Sequence, residues 1–253
     1  MYLCVKFAPT MIFYRIYQVL VMAPLMLALT VVTALTTILG CALGMGSVFG
    51  YWPAHFWARC FCWLAFVRVE VRGRENIRNR TNYVFVANHQ GAYDIFAIYG
   101  FLGHTFNWMM KKSLERIPLV GYACRISGQI YVDNSTPSGV RETMETAEKR
   151  LRKGMSVVVF PEGSRTRDGR LHAFRRGAYT LAVEFGLPVV PVTIDGAYRV
   201  MPRTAIAPRP GRIILTIHKP ILPGESGKHE LSDLMEASRA AIASALPAGS
   251  GEL

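Results

Sequence analysis

Charge is absent from one long stretch of this chain, and acid is scarce everywhere. No Asp, Glu, Lys or Arg occurs between Arg15 and Arg59. That gap exceeds the roughly 20 apolar residues that one membrane-spanning helix needs. It also far exceeds the short apolar core of a cleaved signal peptide, which fits badly here. Against 29 Lys and Arg there are only 17 Asp and Glu. Cysteine is sparse and odd in number: Cys4, Cys41, Cys60, Cys62 and Cys124. The Cys60-Phe61-Cys62 pair has no second pair to complete a tetrahedral zinc site. Buried, reduced thiols in a cytoplasm-facing protein are the expectation. Two other motifs are incomplete. After Gly44 and Gly46, Phe49 stands where a dinucleotide-binding loop has its third glycine, and no strand precedes it. Ser164 is flanked by Glu162 and Thr166 rather than by the glycines of a nucleophile elbow.

What is present is both apolar and basic. The formal net charge is +12 and the mean hydropathy +0.23, a combination that points to anionic membrane surfaces or nucleic acid. No interleaving of aromatic and basic residues marks a nucleic-acid surface, so membrane is expected and nucleic acid is not. The uncharged gap holds either one tilted span plus an interfacial piece or two short helices forming a hairpin. Lys6 and Arg15 before the gap and the basic domain after it favour the pair, with both ends on the cytoplasmic side of an inner membrane. Glycines four apart at Gly40 and Gly44, and at Gly46 and Gly50, signal either close helix packing or a turn. Residues 51–67, with three of the four tryptophans, are expected as an interfacial helix leading into the folded domain, with a buried core helix as the alternative. Residues 1–67 are thus assigned as a membrane-embedded or interfacial helical segment and residues 68–253 as a catalytic domain.

Within that domain, apolar periodicity predicts strands at 67–73, 83–88, 105–110, 156–160, 187–194 and 212–218. Helices are expected at 94–102, at 139–154 ending on Gly154, at 177–186 and near 228–246. This alternation implies an α/β fold with a mostly parallel central sheet flanked by helices. Binding loops in such sheets gather at the carboxyl ends of the strands. Two loops fall there: Asn88-His89, and the turn that opens with Pro161-Glu162.

His89 and Asp94 lie five apart. On one continuous helix they would be about 140° apart around the axis. Together they make sense with His89 in a strand-to-helix turn, Gly91 easing the bend, and Asp94 in the first helical turn. Either His89 is a structural histidine with Asp94 a helix cap, or the two are a base and its orienting carboxylate. A base without a nucleophile implies activation of a hydroxyl on the substrate itself. Arg165, Arg167, Arg170, Arg175 and Arg176 crowd the second loop. They form either a solvated basic turn or a phosphate site, which the arginine fork suits.

The blocks "NHQGAYD", "KKSLERIPLVGYACRISGQIYVD", "FPEGSRT" and "LPVVPV", in that order, resemble the glycerolipid acyltransferase family over about residues 68–218. Lys111, Pro118, Gly121 and Pro191 match family positions, as does the trailing "FRRG". The resemblance implies that His89 is the general base and Asp94 its orienting carboxylate. It implies that Arg165 and Lys111 hold a phosphate, and that Glu162 and Gly163 shape that site. The implied reaction moves a fatty acyl group from acyl-CoA or acyl-carrier protein to the free hydroxyl of 1-acyl-glycerol-3-phosphate, giving phosphatidic acid without metal or other cofactor. Asn134 departs from the arginine the family usually has there, which leaves open another lysolipid, such as one containing an amino acid. A non-catalytic membrane lipid-binding protein is the rival from another class.

Overall fold

The structure is a computed structural model describing residues 7–133, 135–224 and 230–247. Asn134, Lys6 and Cys4 lie outside the described residues. One helical run opens the chain: α1 (Phe7–Tyr17), a π-helical turn (Gln18–Met22) and α2 (Ala23–Ala42). Pro24 explains the irregular turn, because it has no N–H for the Leu20 carbonyl. The Ala23 N–H bonds Gln18 O instead. Helix α2 ends at Gly44, whose φ of +80° suits only glycine well. A short helix α3 (Gly46–Phe49) then turns the chain into α4 (Trp52–Leu64).

Helix α4 runs back along the first helix. Tyr14 donates to Ala65 O at 3.1 Å, Tyr17 to Leu64 O at 3.0 Å, and Trp57 Nε1 to Thr30 Oγ1 at 2.9 Å. The two therefore pack as an antiparallel pair. Among the described residues only Met11–Ala42 is long and apolar enough to cross a membrane. The thirteen-residue α4 is instead built into the domain. Its Ala58 and Cys62 are fully buried in one core with Phe85, Ala97 and Val158. Both glycine readings hold, at different positions. A Cβ on Gly40 would collide with the Phe49 ring, so Gly40 serves close packing, while Gly44 serves the turn.

The sheet has seven strands: β1 (Val67–Arg72), β2 (Val84–Ala87), β3 (Phe106–Lys111), β4 (Ile130–Val132), β5 (Ser156–Val159), β6 (Val189–Asp195) and β7 (Gly211–Ile217). Their order is β1-β7-β6-β2-β5-β3-β4. All pairs are parallel except β6 with β7. Pro191 has no N–H to give, and the antiparallel register with β7 begins one residue later, at Val192. β2 is buried at every residue, as a central parallel strand covered on both faces must be.

One face carries α4 and α5 (Tyr93–Phe101). The other carries α7 (Pro137–Arg152), α8 (Gly177–Glu184) and α10 (Glu230–Ser244). Helix α7 shows why the sequence folds this way locally. Thr136 caps it by accepting from Gly139 N at 3.0 Å, Pro137 fits its first turn, and Gly154 leaves it with φ +79°. The short elements α6 (Val120–Ile126), α9 (Ala197–Val200) and β4 were not expected.

Candidate active site

β2 and β5 are neighbours, so their carboxyl ends bring the two suspect loops together. His89 leaves the end of β2, and its Nδ1 lies 2.7 Å from Asp94 Oδ2. Asp94 is in the first turn of α5 and fully buried, whereas 13% of the His89 side chain is exposed. The same oxygen, Oδ2, also accepts from Gly91 N at 2.8 Å. A carboxylate only accepts, so Nδ1 carries the proton and Nε2 is left free as a base. Gly91 has a different duty from the one expected. Its φ is not in the left-handed region, but a Cβ there would stand 2.6 Å from both Ala197 O and Met201 O. It lets α9 approach closely.

The second loop holds the first. Glu162, buried behind β5, accepts from His89 N at 2.7 Å with one oxygen and from His172 N at 2.9 Å with the other. Burial pushes its carboxyl above the ordinary value, against the pull of those two N–H groups and of both histidines. Thr166 N adds a bond to His89 O at 2.8 Å. Under the imidazole lies Phe160, stacked at 3.9 Å between centroids and 6° between planes. The ring, its backbone and its carboxylate partner are all fixed.

The cations are placed differently. Arg165 is half-buried on the loop after Glu162, and Lys111 is exposed at the end of β3, the strand beside β5. Gly163 has φ +75°, and a Cβ there would meet the Arg175 guanidinium at 2.8 Å. Asp168 is engaged by the Thr166 hydroxyl at 2.6 Å and by Arg170 N, which lower its carboxyl to about 2. It therefore stays ionised beside the arginines.

Among the described residues, burial raises every cysteine thiol and so argues against a cysteine nucleophile. Burial pushes the Cys62 thiol up to about 12 and Cys124 to about 11, which leaves both protonated and inert. The arrangement can take a proton from a hydroxyl at Nε2 and can receive an anion beside it.

Sequence reasoning missed two residues that hold this site. Asn88 clamps β6 through Nδ2 to Ile194 O at 2.9 Å and Ile194 N to Oδ1 at 2.8 Å. Phe160 is the floor of the base. Both stand inside the quoted motifs, but neither side chain's partner is legible from spacing.

The sequence model of the family described as Acyltransferase matches residues 68–195, half of the chain. The chain belongs to the acyltransferase family. The chain is 31% identical over 189 residues to a 1-acyl-sn-glycerol-3-phosphate acyltransferase of Pseudomonas aeruginosa, covering 73% of this chain and 72% of that one. It is 34% identical over 175 residues to a chloroplastic 1-acyl-sn-glycerol-3-phosphate acyltransferase of Arabidopsis thaliana, covering 68% of this chain. It spans about half the length of that chloroplastic relative. The crystal structure of the 1-acyl-sn-glycerophosphate acyltransferase of Thermotoga maritima superposes with a TM-score of 0.65 at 28% identity, covering 85% of this chain and 94% of that one.

Proposed function

We propose that this acyltransferase moves a fatty acyl group from acyl-CoA or acyl-carrier protein to the free hydroxyl of 1-acyl-glycerol-3-phosphate, giving phosphatidic acid. The observation that carries the reading is the His89–Asp94 pair, stapled by Glu162 to an arginine-rich loop. His89 Nε2 takes the hydroxyl proton, and Asp94 stabilises the imidazolium as it forms. The acceptor oxygen attacks the thioester carbonyl. The tetrahedral oxyanion collapses to expel thiolate, which takes the proton back from His89. Arg165 and Lys111 hold the acceptor's phosphate, and neither engages an anionic partner among the described residues. Glu162 and Gly163 shape that site by setting the loop's path.

The acyl chain has an apolar place to go. A cavity of about 100 Å³ lies between α2, α4 and α6, lined by Ala34, Ala54, Trp57, Tyr99, Met110 and Ala123 among others. A row of aromatic rings leads to it from the base, His89 to Phe160 to Trp108 to Tyr99. Helix α2 forms one wall of this cavity, and it and the π-helical turn before it turn their other side outward. Val19, Leu20, Leu27 and Leu39 are each more than 60% exposed. Such a surface belongs in lipid, so the chain docks on a membrane that also holds its substrate. We assign the basic domain to the cytoplasmic side of an inner membrane because it carries most of the Lys and Arg of the chain.

Purified protein in detergent, assayed with several lysolipids against acyl-CoA and acyl-carrier protein, tests the reading. Phosphatidic acid formed preferentially from 1-acyl-glycerol-3-phosphate supports it. Transfer only to a lysolipid without a terminal phosphate would move the acceptor, and no transfer at all would end the reading.

A further inference from the structure

Ile206 stands in the loop between α9 and β7, residues 201–210, and is 98% exposed, the most of any large apolar side chain among the described residues. One exposed isoleucine is ordinary on a protein surface, but the setting of this one is not. Arg203 and Arg209 flank it, both exposed, and neither pairs with an acid among the described residues. Three hydrogen bonds fix where the loop lies. Ala92 N donates to Met201 O at 3.3 Å, tying the loop's start to the turn that carries His89 and Asp94. Gln18 Nε2, which is buried, donates to Pro208 O at 2.7 Å, tying its far end to the first helical run. Gly211 N donates to Phe66 O at 3.3 Å, and the Phe66 ring lies against Tyr14 and Tyr17 of α1. The loop therefore bridges the proposed base and the apolar helix.

The helix sets the depth. Arg15 is its last charge before the uncharged gap, and it donates to Gln18 Oε1 at 2.8 Å. Just beyond, Val19 and Leu20 are apolar and exposed. With this helix in lipid, Arg15 marks the headgroup level, where arginine stays while the apolar side chains sink. Gln18 is three residues further on, so the loop meets the helix at that level. Ile206 is two residues from Pro208, within about 8 Å of it along the chain. An apolar tip between two unpaired arginines suits that boundary, the one for hydrocarbon and the others for lipid phosphates.

We propose that residues 201–210 form a further membrane contact, with Ile206 inserted below the headgroups and Arg203 and Arg209 on the phosphates of anionic lipid. The proposal rests on the reading above that the first helix lies in lipid. Its consequence is orientation. Interfacial anchors set how a helix is rotated in a bilayer, and this anchor is one hydrogen bond from the catalytic turn. It holds that turn at the depth of a lysolipid headgroup.

A fluorine probe tests it on the full chain. Para-trifluoromethylphenylalanine is placed, in separate preparations, at Ile206, at Leu20 on the helix and at Arg141 on α7, which covers the other face of the sheet. Each protein is bound to nanodiscs containing phosphatidylglycerol. Lipid carrying a nitroxide near the top of its acyl chain should broaden the signals at Ile206 and Leu20 and leave Arg141 sharp. An aqueous nickel chelate should do the reverse. Broadening at Leu20 with none at Ile206 overturns the loop proposal and leaves the helix reading standing; broadening at neither position ends both. A signal at Ile206 that moves with acyl-carrier protein but ignores lipid also overturns it, making the loop a protein-docking site. The second arm uses natural side chains. Ile206→Ser should raise KM for lysolipid presented in vesicles about tenfold, with turnover of detergent-dispersed lysolipid and thermal melting unchanged. Arg203→Gln and Arg209→Gln should each cut the preference for anionic over neutral vesicles about fivefold. Equal losses in vesicles and in detergent overturn the proposal. If the parent acylates no lysolipid, the acyl-transfer reading fails while the fluorine probe still decides the loop.

Discussion

Replacing Asp94 by Asn changes one atom type at the centre of the site, and the geometry there fixes the consequences. Oδ2 accepts from His89 Nδ1 at 2.7 Å and from Gly91 N at 2.8 Å, while Oδ1 is buried with no partner among the described residues. An asparagine has two placements. With its oxygen at the Oδ2 position, it keeps both bonds but buries an NH₂ where no acceptor waits. With its nitrogen there, it opposes the Gly91 N–H and forces the proton of His89 onto Nε2, the atom that must act as base. Both placements remove the negative charge facing the imidazolium. At about 4 Å between charge centres and an effective dielectric near 20, that interaction is worth about 4 kcal/mol, or roughly 10³ in rate. Turnover measured by thiol release from acyl-CoA should therefore fall about 10³-fold. The melting temperature, read on the same preparations, should fall only as one unsatisfied group requires, by about 1–3 kcal/mol. An Asp94→Asn enzyme that is folded and within tenfold of the parent would refute the reasoning. So would a loss of activity that simply tracks loss of folded protein.

Arg165→Ala should raise KM for the lysolipid roughly ten- to a hundredfold, the worth of one charged hydrogen bond, and change kcat less; a rise in KM for the thioester alone would move the arginine to the donor site. Glu162→Gln can satisfy only one of the two N–H groups of His89 and His172, so stability should fall by about 1–3 kcal/mol and the melting temperature by roughly 2–10 °C. The pH dependence of that difference has a defined sign. Burial raises the folded carboxyl above its ordinary 4.5, so the folded state holds this proton more tightly than the unfolded chain. The parent's stability relative to Glu162→Gln should then decline as pH rises through the folded value, and denaturant titrations showing the reverse slope would contradict it. Gly91→Ala places a methyl against the Ala197 and Met201 carbonyls and should cost about 1–3 kcal/mol, with activity falling further than stability because Gly91 N also holds Asp94. Unchanged thermal melting would show that α9 gives way.

The sheet was legible because its strands are short buried apolar runs, and the helices because their caps and terminators are in the chain, as at Thr136 and Gly154. β4 was not legible. Its three residues carry too few alternations to register as a period, and their pairing is supplied by β3. The reversal of β7 was hidden too, since period-2 patterning says nothing about strand direction. At the N-terminus, absence of charge correctly marked an apolar helix but could not tell lipid from protein as its neighbour. Helix α4 packs one side on α5 and the sheet, while its Trp52, Phe56 and Trp63 stay more than half exposed. In the site, His89 and Asp94 were legible because a five-residue spacing joins them only across a strand-to-helix turn. Phe160 and Trp108 were not, because a stacked ring reads in sequence as one more core aromatic.

The carboxylate of Glu162 changes what the two sequence blocks mean. Read separately, one supplies a base and the other a row of arginines. In the fold, one oxygen of Glu162 holds the backbone of His89 and the other holds the backbone of His172, beyond the arginines. Thr166 N on the same loop holds the His89 carbonyl. The loop that carries the anion-seeking groups is thus tied at both ends to the residue that takes the proton. Its position relative to the base is set by hydrogen bonds rather than by loop stiffness. Glu162 bears that duty at the cost of a buried charge, which its raised carboxyl records. A neutral acceptor in its place would spare the cost and loosen the distance between the proposed base and the proposed phosphate site, on which near-attack geometry would depend.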